Sequence, residues 1–170
     1  MNVALFGFMA VGKSTVGRLL SERLGYTFVD LDLEIAKKEG MKVEEIFSTY
    51  GESRFRELER QAVHHVALLD HQVIACGGGA ILDTANLEAL RQSSRMVLLT
   101  ASPEEISKRV ALDSSRPLLN LGNRLCRIYN LLEARLPRYC EAAEMSVHTD
   151  GITPEEVADI VLQRIGGVEA

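Results

Sequence analysis

Eight residues near the N-terminus constrain this chain most. Gly7-Phe8-Met9-Ala10-Val11-Gly12-Lys13-Ser14 matches the pattern GxxxxGK[ST]. The motif stands between Val3 to Phe6, an apolar run that reads as a buried strand, and Ser14 to Leu24, which reads as a helix stopped by Gly25. The chemistry needs each part. The glycines let the backbone curl until its N–H groups point at phosphate oxygens, and the helix behind them adds its positive N-terminal end. Lys13 supplies a mobile charge for β- and γ-phosphates, and the Ser14 hydroxyl reaches a magnesium ion. A strand, such a loop and a helix imply binding of a nucleoside triphosphate. They leave the reaction open, because switches, motors and small-molecule kinases all carry the loop.

The rest of the chain alternates short apolar runs with amphipathic stretches. Further strands are predicted at Thr27–Val29, Val73–Cys76, Met96–Leu99 and Met145–Val147. Short helices are predicted at Leu33–Lys38 and Val43–Thr49 around Gly40. Longer helical patterns cover Glu52–Leu69 and Ala85–Gln92, and Pro103 starts another. Thr153, Pro154 and Glu156 open a C-terminal helix with a capping box. Strands separated by helices mean an α/β fold with a mostly parallel sheet. Ligands of such sheets bind beyond the carboxyl ends of the strands. The glycine-rich loop, Asp30-Leu31-Asp32 and Gly77-Gly78-Gly79 each follow a predicted strand and should therefore converge. The polar, turn-rich stretch from about 112 to 123 has no clear period and reads as a mobile lid.

Length and composition narrow the classes. The 170 residues fit a single domain, 1–170, around one core. A net charge of −5 and no tryptophan argue against a nucleic-acid surface. No apolar run reaches the ~18 residues of a membrane span, and the apolar first eleven residues lack a basic leader segment. Three cysteines, Cys76, Cys126 and Cys140, without a CxxC fit a reducing cytoplasm rather than a disulfide framework or zinc site. No surplus apolar helix face marks a permanent interface, so the expected state is a monomer.

Two segments point to a second ligand. Asp30 and Asp32 end the second strand two residues apart, so their side chains start on opposite faces unless the chain turns. One could face a metal and the other an acceptor hydroxyl; an aspartate here also serves as a helix N-cap, and both roles can hold. Arg56 and Arg60 share a helix face. From the residues alone Arg56 is open between a ligand contact and a solvated charged surface, with Glu57 and Glu59 able to pair locally. Three successive glycines carry a large entropy cost, which favours a loop where backbone approaches something closely.

Taken together, the motifs resemble those of shikimate kinases. The resemblance rests on the glycine-rich loop followed by Thr15-Val16-Gly17, on Asp30-Leu31-Asp32, and on Phe55-Arg56-Glu57-Leu58-Glu59. The triple glycine, Arg116-Pro117-Leu118-Leu119 and Arg135-Leu136-Pro137-Arg138-Tyr139 complete the set, in one order over almost the whole chain. The resemblance implies a three-layer P-loop kinase fold with a five-stranded parallel sheet of order 2-3-1-4-5. It also implies transfer of the γ-phosphoryl group of ATP to the 3-hydroxyl of shikimate. Residue by residue, Gly7, Ala10, Val11, Gly12, Lys13, Ser14 and Thr15 would hold the nucleotide phosphates. Ser14 and Asp30 would hold Mg²⁺, and Asp32 would be the base and a ring-hydroxyl partner. Arg56 and Arg135 would clamp the shikimate carboxylate, with backbone contacts from Gly77, Gly78 and Gly79. Arg116 on the lid would reach the phosphates, and Arg109 and Pro154 would flank adenine. The acceptor-binding region would span about 31–60.

The physical chemistry is consistent with this division. Carboxylates favour planar, bidentate arginines, hydroxyl acceptors favour a nearby carboxylate, and a closing basic lid excludes water. His64, His65, His71 and His148 show no metal spacing, and Cys76 reads as a core residue. Arg138 and Tyr139 read as braces of the helix carrying Arg135. Two positions depart from the family pattern: Val11 is bulky for its place in the loop, and Ile152 stands where some relatives offer a basic residue to adenine. A gluconate-kinase-like enzyme is the nearest alternative, and a regulatory nucleotide-binding module is the alternative from another class. Arg56, the triple glycine and Arg135 favour the first reading over the second kinase. Lys13, Asp32, Arg116 and Arg135 together argue against the module.

Overall fold

The computed structural model describes residues 1–112 and 123–166. Five strands form one parallel sheet: β1 (Asn2–Phe6), β2 (Thr27–Asp30), β3 (Gln72–Ala75), β4 (Ser94–Thr100) and β5 (Met145–His148), in the order β2-β3-β1-β4-β5. This is the expected order. β1 is central, and its apolar residues Val3 to Phe6 are all buried, as a strand covered on both faces requires. Its register places Leu5 beside Ala75 of β3 and Val97 of β4. Edge strand β2 is only half-buried.

Seven helices complete the layers among the described residues: α1 (Lys13–Leu24), α2 (Leu31–Glu39), α3 (Val43–Ala67), α4 (Thr84–Ser93), α5 (Pro103–Leu112), α6 (Arg124–Ala142) and α7 (Pro154–Gly166). α1 packs on α7, and α3 packs on α4. The main core joins the strands to Val16 and Leu20 of α1, Leu87 and Leu90 of α4, and Val157 and Val161 of α7. A second, smaller cluster of Ile35, Ile46, Phe55 and Leu58 holds α2 to α3. That cluster lies within the expected acceptor-binding region.

Local signals account for the boundaries. The α1 helix ends at Gly25, which adopts φ 67°. Before α7, the Thr153 amide donates to Glu156 at 2.6 Å and the Glu156 amide donates to Thr153 Oγ1 at 3.2 Å, the expected capping box. The helices predicted at 43–49 and 52–69 meet at Gly51, whose φ of 82° and ψ of 172° kink α3. Several elements differ in extent from the sequence pattern, β3 among them, which covers Gln72–Ala75 and leaves Cys76 just beyond it; for two the cause is visible. β4 begins two residues early, because Ser94 and Arg95 still pair with Asn2 and Val3 of β1. α2 begins at Leu31 rather than Leu33, because Asp30 caps it through bonds from the Asp32 and Leu33 amides.

Candidate active site

The three motifs expected to converge do so. A cavity of about 250 Å³ beyond the carboxyl ends of the strands is lined by Ala10, Gly12, Lys13, Ser14, Thr15, Asp30, Asp32, Gly77 and Gly78, among others. A larger cavity, about 910 Å³, opens between β2, α2 and α3, but none of the expected site residues lines it.

The nucleotide side is built by the turn between β1 and α1. Gly7 has φ 140° and Gly12 φ 100°, and a β-carbon at Gly7 would collide with the Leu99 carbonyl oxygen. The Lys13 ammonium curls back over the loop, donating to the Gly7 carbonyl at 3.1 Å and the Phe8 carbonyl at 2.7 Å. Its charge therefore sits where phosphates would lie. Val11 is buried and does not line this cavity; it lines a separate one of about 250 Å³ with Leu99 and Tyr139. Its bulk is absorbed by the core. Arg109 reaches the loop from α5, donating to the Ala10 carbonyl at 3.2 Å, to Thr149 Oγ1 at 3.1 Å and to the Thr149 carbonyl at 3.3 Å. Ile152 packs against the core. Pro154 stands exposed at the start of α7, and Arg116 lies outside the described residues.

The two aspartates share the cavity because the strand ends between them. β2 stops at Asp30 and α2 begins at Leu31, so Asp32 leaves the alternation of the strand and turns to the same side. Asp30 uses its two carboxylate oxygens differently. Its Oδ1 caps α2, while its Oδ2 accepts from Ser14 Oγ at 2.7 Å. This adjacency is the observation that tests for a magnesium ion. Two hard oxygen donors side by side, next to Lys13, suit an ion that takes one or two protein oxygens and completes its shell with water and phosphate. Among the described residues there is no group of three or more His, Cys, Asp or Glu able to hold a metal by themselves.

The acceptor side is organised by the triple glycine. A β-carbon at Gly77 would lie 2.9 Å from Asp32 Oδ1 and 3.1 Å from Glu59 Oε1, and one at Gly79 only 2.5 Å from Arg56 Nη2. At Gly78 the nearest atom is Arg135 Nη1, at 3.6 Å. The missing side chains thus let residues of α2, α3 and α6 close on one turn. The Arg56 guanidinium faces this turn over the Phe55 ring, while the more exposed Arg54 and Arg60 make ion pairs with Glu57 and Asp83. The Arg135 guanidinium lies over the Phe8 ring, 5.7 Å from its centroid.

Sequence reasoning missed Glu59 as more than a local partner. It is 1% exposed, and its Oε2 accepts from Arg56 Nη1 at 2.7 Å. Burial pushes the Glu59 carboxyl above the ordinary carboxylate range, with the Arg56 charge pulling it back. Burial by itself lowers the Arg56 value, yet the bonds and charges of Glu59 and Glu52 outweigh it and hold the guanidinium firmly protonated. The i,i+3 spacing was the available signal; the burial was not legible. Cys76 is buried as expected, though just past the end of β3 rather than in it, and burial pushes its thiol up to about 12.

Comparison with known proteins identifies the family. The sequence profile of the family described as Shikimate kinase matches residues 9–166. The chain belongs to the shikimate kinase family. A shikimate kinase from Thermodesulfovibrio yellowstonii is 42% identical over 95% of this chain and 93% of its own length. Another, from Streptomyces avermitilis, is 46% identical over 99% and 98%. The solved structure of shikimate kinase from Acinetobacter baumannii in complex with shikimate superposes with a TM-score of 0.93 at 37% identity, covering 98% of this chain and 93% of that one. Family membership, sheet order and the converging motifs describe one ATP-dependent kinase.

Proposed function

We propose that this chain transfers the γ-phosphoryl group of ATP to the 3-hydroxyl of shikimate, giving shikimate 3-phosphate and ADP. The observation that supports the reading is one cavity lined by Lys13, Ser14 and Asp32, with Arg135 nearest the Gly78 position and Arg56 nearest the Gly79 position. Two arginines on one turn suit a carboxylate, and a carboxylate beside them suits a hydroxyl acceptor.

In this reading Asp32 holds the ring hydroxyls and takes the proton of the 3-hydroxyl. The oxygen then forms a bond to the γ-phosphorus, the bond from that phosphorus to the β–γ bridging oxygen breaks, and ADP leaves with the electron pair. Lys13 moves from the Gly7 and Phe8 carbonyls to the transferred group, where its charge stabilises the transition state. Arg56 and Arg135 orient the acceptor through its carboxylate, and Gly77, Gly78 and Gly79 present backbone to the ring. Ser14 and Asp30 would hold Mg²⁺, which when bound neutralises charge on the β- and γ-phosphates. Gly7, Ala10, Val11, Gly12 and Thr15 cradle the phosphates through the loop backbone. Arg109 and Pro154 flank adenine, and Arg116 completes the charge from the lid at about 112–123.

The reading extends to a single domain over 1–170, with acceptor binding at about 31–60, acting as a monomer in the cytoplasm without nucleic acid or membrane partners. No helix among the described residues is long and apolar enough to cross a membrane.

The test is ADP release from Mg²⁺-ATP with shikimate, gluconate, a nucleoside monophosphate or no acceptor. Stimulation by shikimate alone is expected. Stimulation by gluconate instead, or by no acceptor while ATP still binds, would overturn the assignment.

A further inference from the structure

Tyr139 sits one helical turn after Arg135 on α6 and is 1% exposed. Buried phenols find a hydrogen-bond partner. This one donates across the fold to the Gly78 carbonyl at 2.5 Å. Its ring meets the edge of Phe6 on β1, with centroids 6.2 Å apart. The aromatic body is therefore fixed in the core, and only the hydroxyl reaches the site. Burial pushes the phenol above its ordinary value, and the charges of Arg135 and Arg56 pull it back, so both guanidinium groups lie within electrostatic reach of the oxygen.

We infer that Tyr139 is a positioning residue for the acceptor, pinning the triple-glycine backbone at a set distance from the Arg135 guanidinium. Three observations meet here. Arg135 and Tyr139 occupy one face of one helix, i and i+4. The Arg135 Nη1 lies 3.6 Å from the point where a Gly78 side chain would begin. The Gly78 carbonyl is held by the phenol from the core side. A glycine turn has no side chain of its own to anchor it, so its position depends on such a bond. Without the hydroxyl, Gly78 and Arg135 would keep their identities but lose their common reference. The role goes beyond bracing the helix, because the bond leaves α6 and ends on the turn after β3.

The kinetic arm of the test rests on the shikimate kinase reading; the spectroscopic arm does not. Tyr139→Phe keeps the ring and removes only the hydroxyl. The shikimate KM is expected to rise about tenfold, with kcat and the ATP KM each within about twofold of wild type. In two-dimensional NMR of the same variant, the Gly77, Gly78 and Gly79 amides are expected to shift and to exchange with solvent about tenfold faster. A shikimate KM that stays put, or one that rises together with the ATP KM, would overturn the inference. If wild-type protein shows no shikimate-dependent ADP release, the functional reading fails. Tyr139 is then judged by the glycine amides alone, and unchanged signals in Tyr139→Phe would overturn its role.

Discussion

Gly79→Ala should damage acceptor binding while leaving the fold intact. Gly79 has φ −101° and ψ −10°, a conformation open to any residue, so alanine brings no backbone strain. The new methyl would lie 2.5 Å from Arg56 Nη2, 2.6 Å from Nη1 and 2.8 Å from Cζ. Ordinary contact requires the guanidinium to retreat by about 1 Å. Being the far end of a flexible side chain, it can do so at little cost to stability. The retreat pulls on the 2.7 Å bond from Nη1 to Glu59 and turns the planar donors away from a bound carboxylate. A hydrogen bond to a charged group is worth about 1.5–3 kcal/mol, which corresponds to a shikimate KM raised about 10- to 100-fold. Stability should change by less than about 1 kcal/mol, since alanine also restricts the unfolded chain. The assay is shikimate titration at saturating ATP beside thermal melting. A shikimate KM within twofold of wild type would show that Arg56 does not need its observed place.

Asp32→Asn should lower kcat by about 10²- to 10⁴-fold while calorimetry still shows ATP binding; normal turnover would remove Asp32 from the proton step. Gly17→Ala should destabilise the fold, because its β-carbon would lie 2.5 Å from Cε2 of the Phe28 ring and 3.4 Å from Leu5 Cδ1. Such overpacking costs about 1–3 kcal/mol, and an unchanged melting temperature would refute the packing argument. Glu59 gives a pH signature. Its folded-state pKa is raised by burial, so its contribution to stability is full at acid pH and lost as pH rises through that value. The stability of wild type relative to Glu59→Gln should therefore shrink as pH rises above the ordinary carboxylate range, as read by denaturant melts over a pH series; a difference that grows would mean that Arg56 outweighs the burial.

Much of the architecture was legible because it is written in local signals. The strand–loop–helix at Gly7 to Ser14, the stop at Gly25 and the capping box at Thr153 each depend on neighbours in sequence, and each has the expected form. What was illegible depends on distant partners. Arg56 and Arg60 stand one turn apart with the same charge, and periodicity treats them alike. The structure separates them, with 28% against 52% side-chain exposure, because Gly79 admits the Arg56 guanidinium while Arg60 pairs only distantly, with Asp83. The two aspartates were ambiguous for a related reason: whether Asp32 faces its neighbour's side depends on β2 ending at Asp30, which the cap itself brings about. Val11 looked too large for a phosphate loop only because the cavity behind the loop was out of view. The extent of α6 was hidden by Pro137, a residue that commonly ends helices but here lies inside one.

The triple glycine explains why these long-range contacts meet at one place. The Gly77 position faces Asp32 and Glu59, the Gly78 carbonyl receives Tyr139, and the Gly79 position faces Arg56. Those partners come from α2 and α3, joined by the short turn 40–42, and from α6, far away in sequence. A side chain at the first or third position would push apart the groups that the proposed reading brings to one small molecule. The middle position is different, because its surroundings leave room for a methyl and its constraint comes through the carbonyl. On the proposed reading, the acceptor half of the site owes its precision to absent atoms. That makes it sensitive to the smallest substitutions at Gly77 and Gly79, and at Gly78 to the loss of a hydroxyl on another helix.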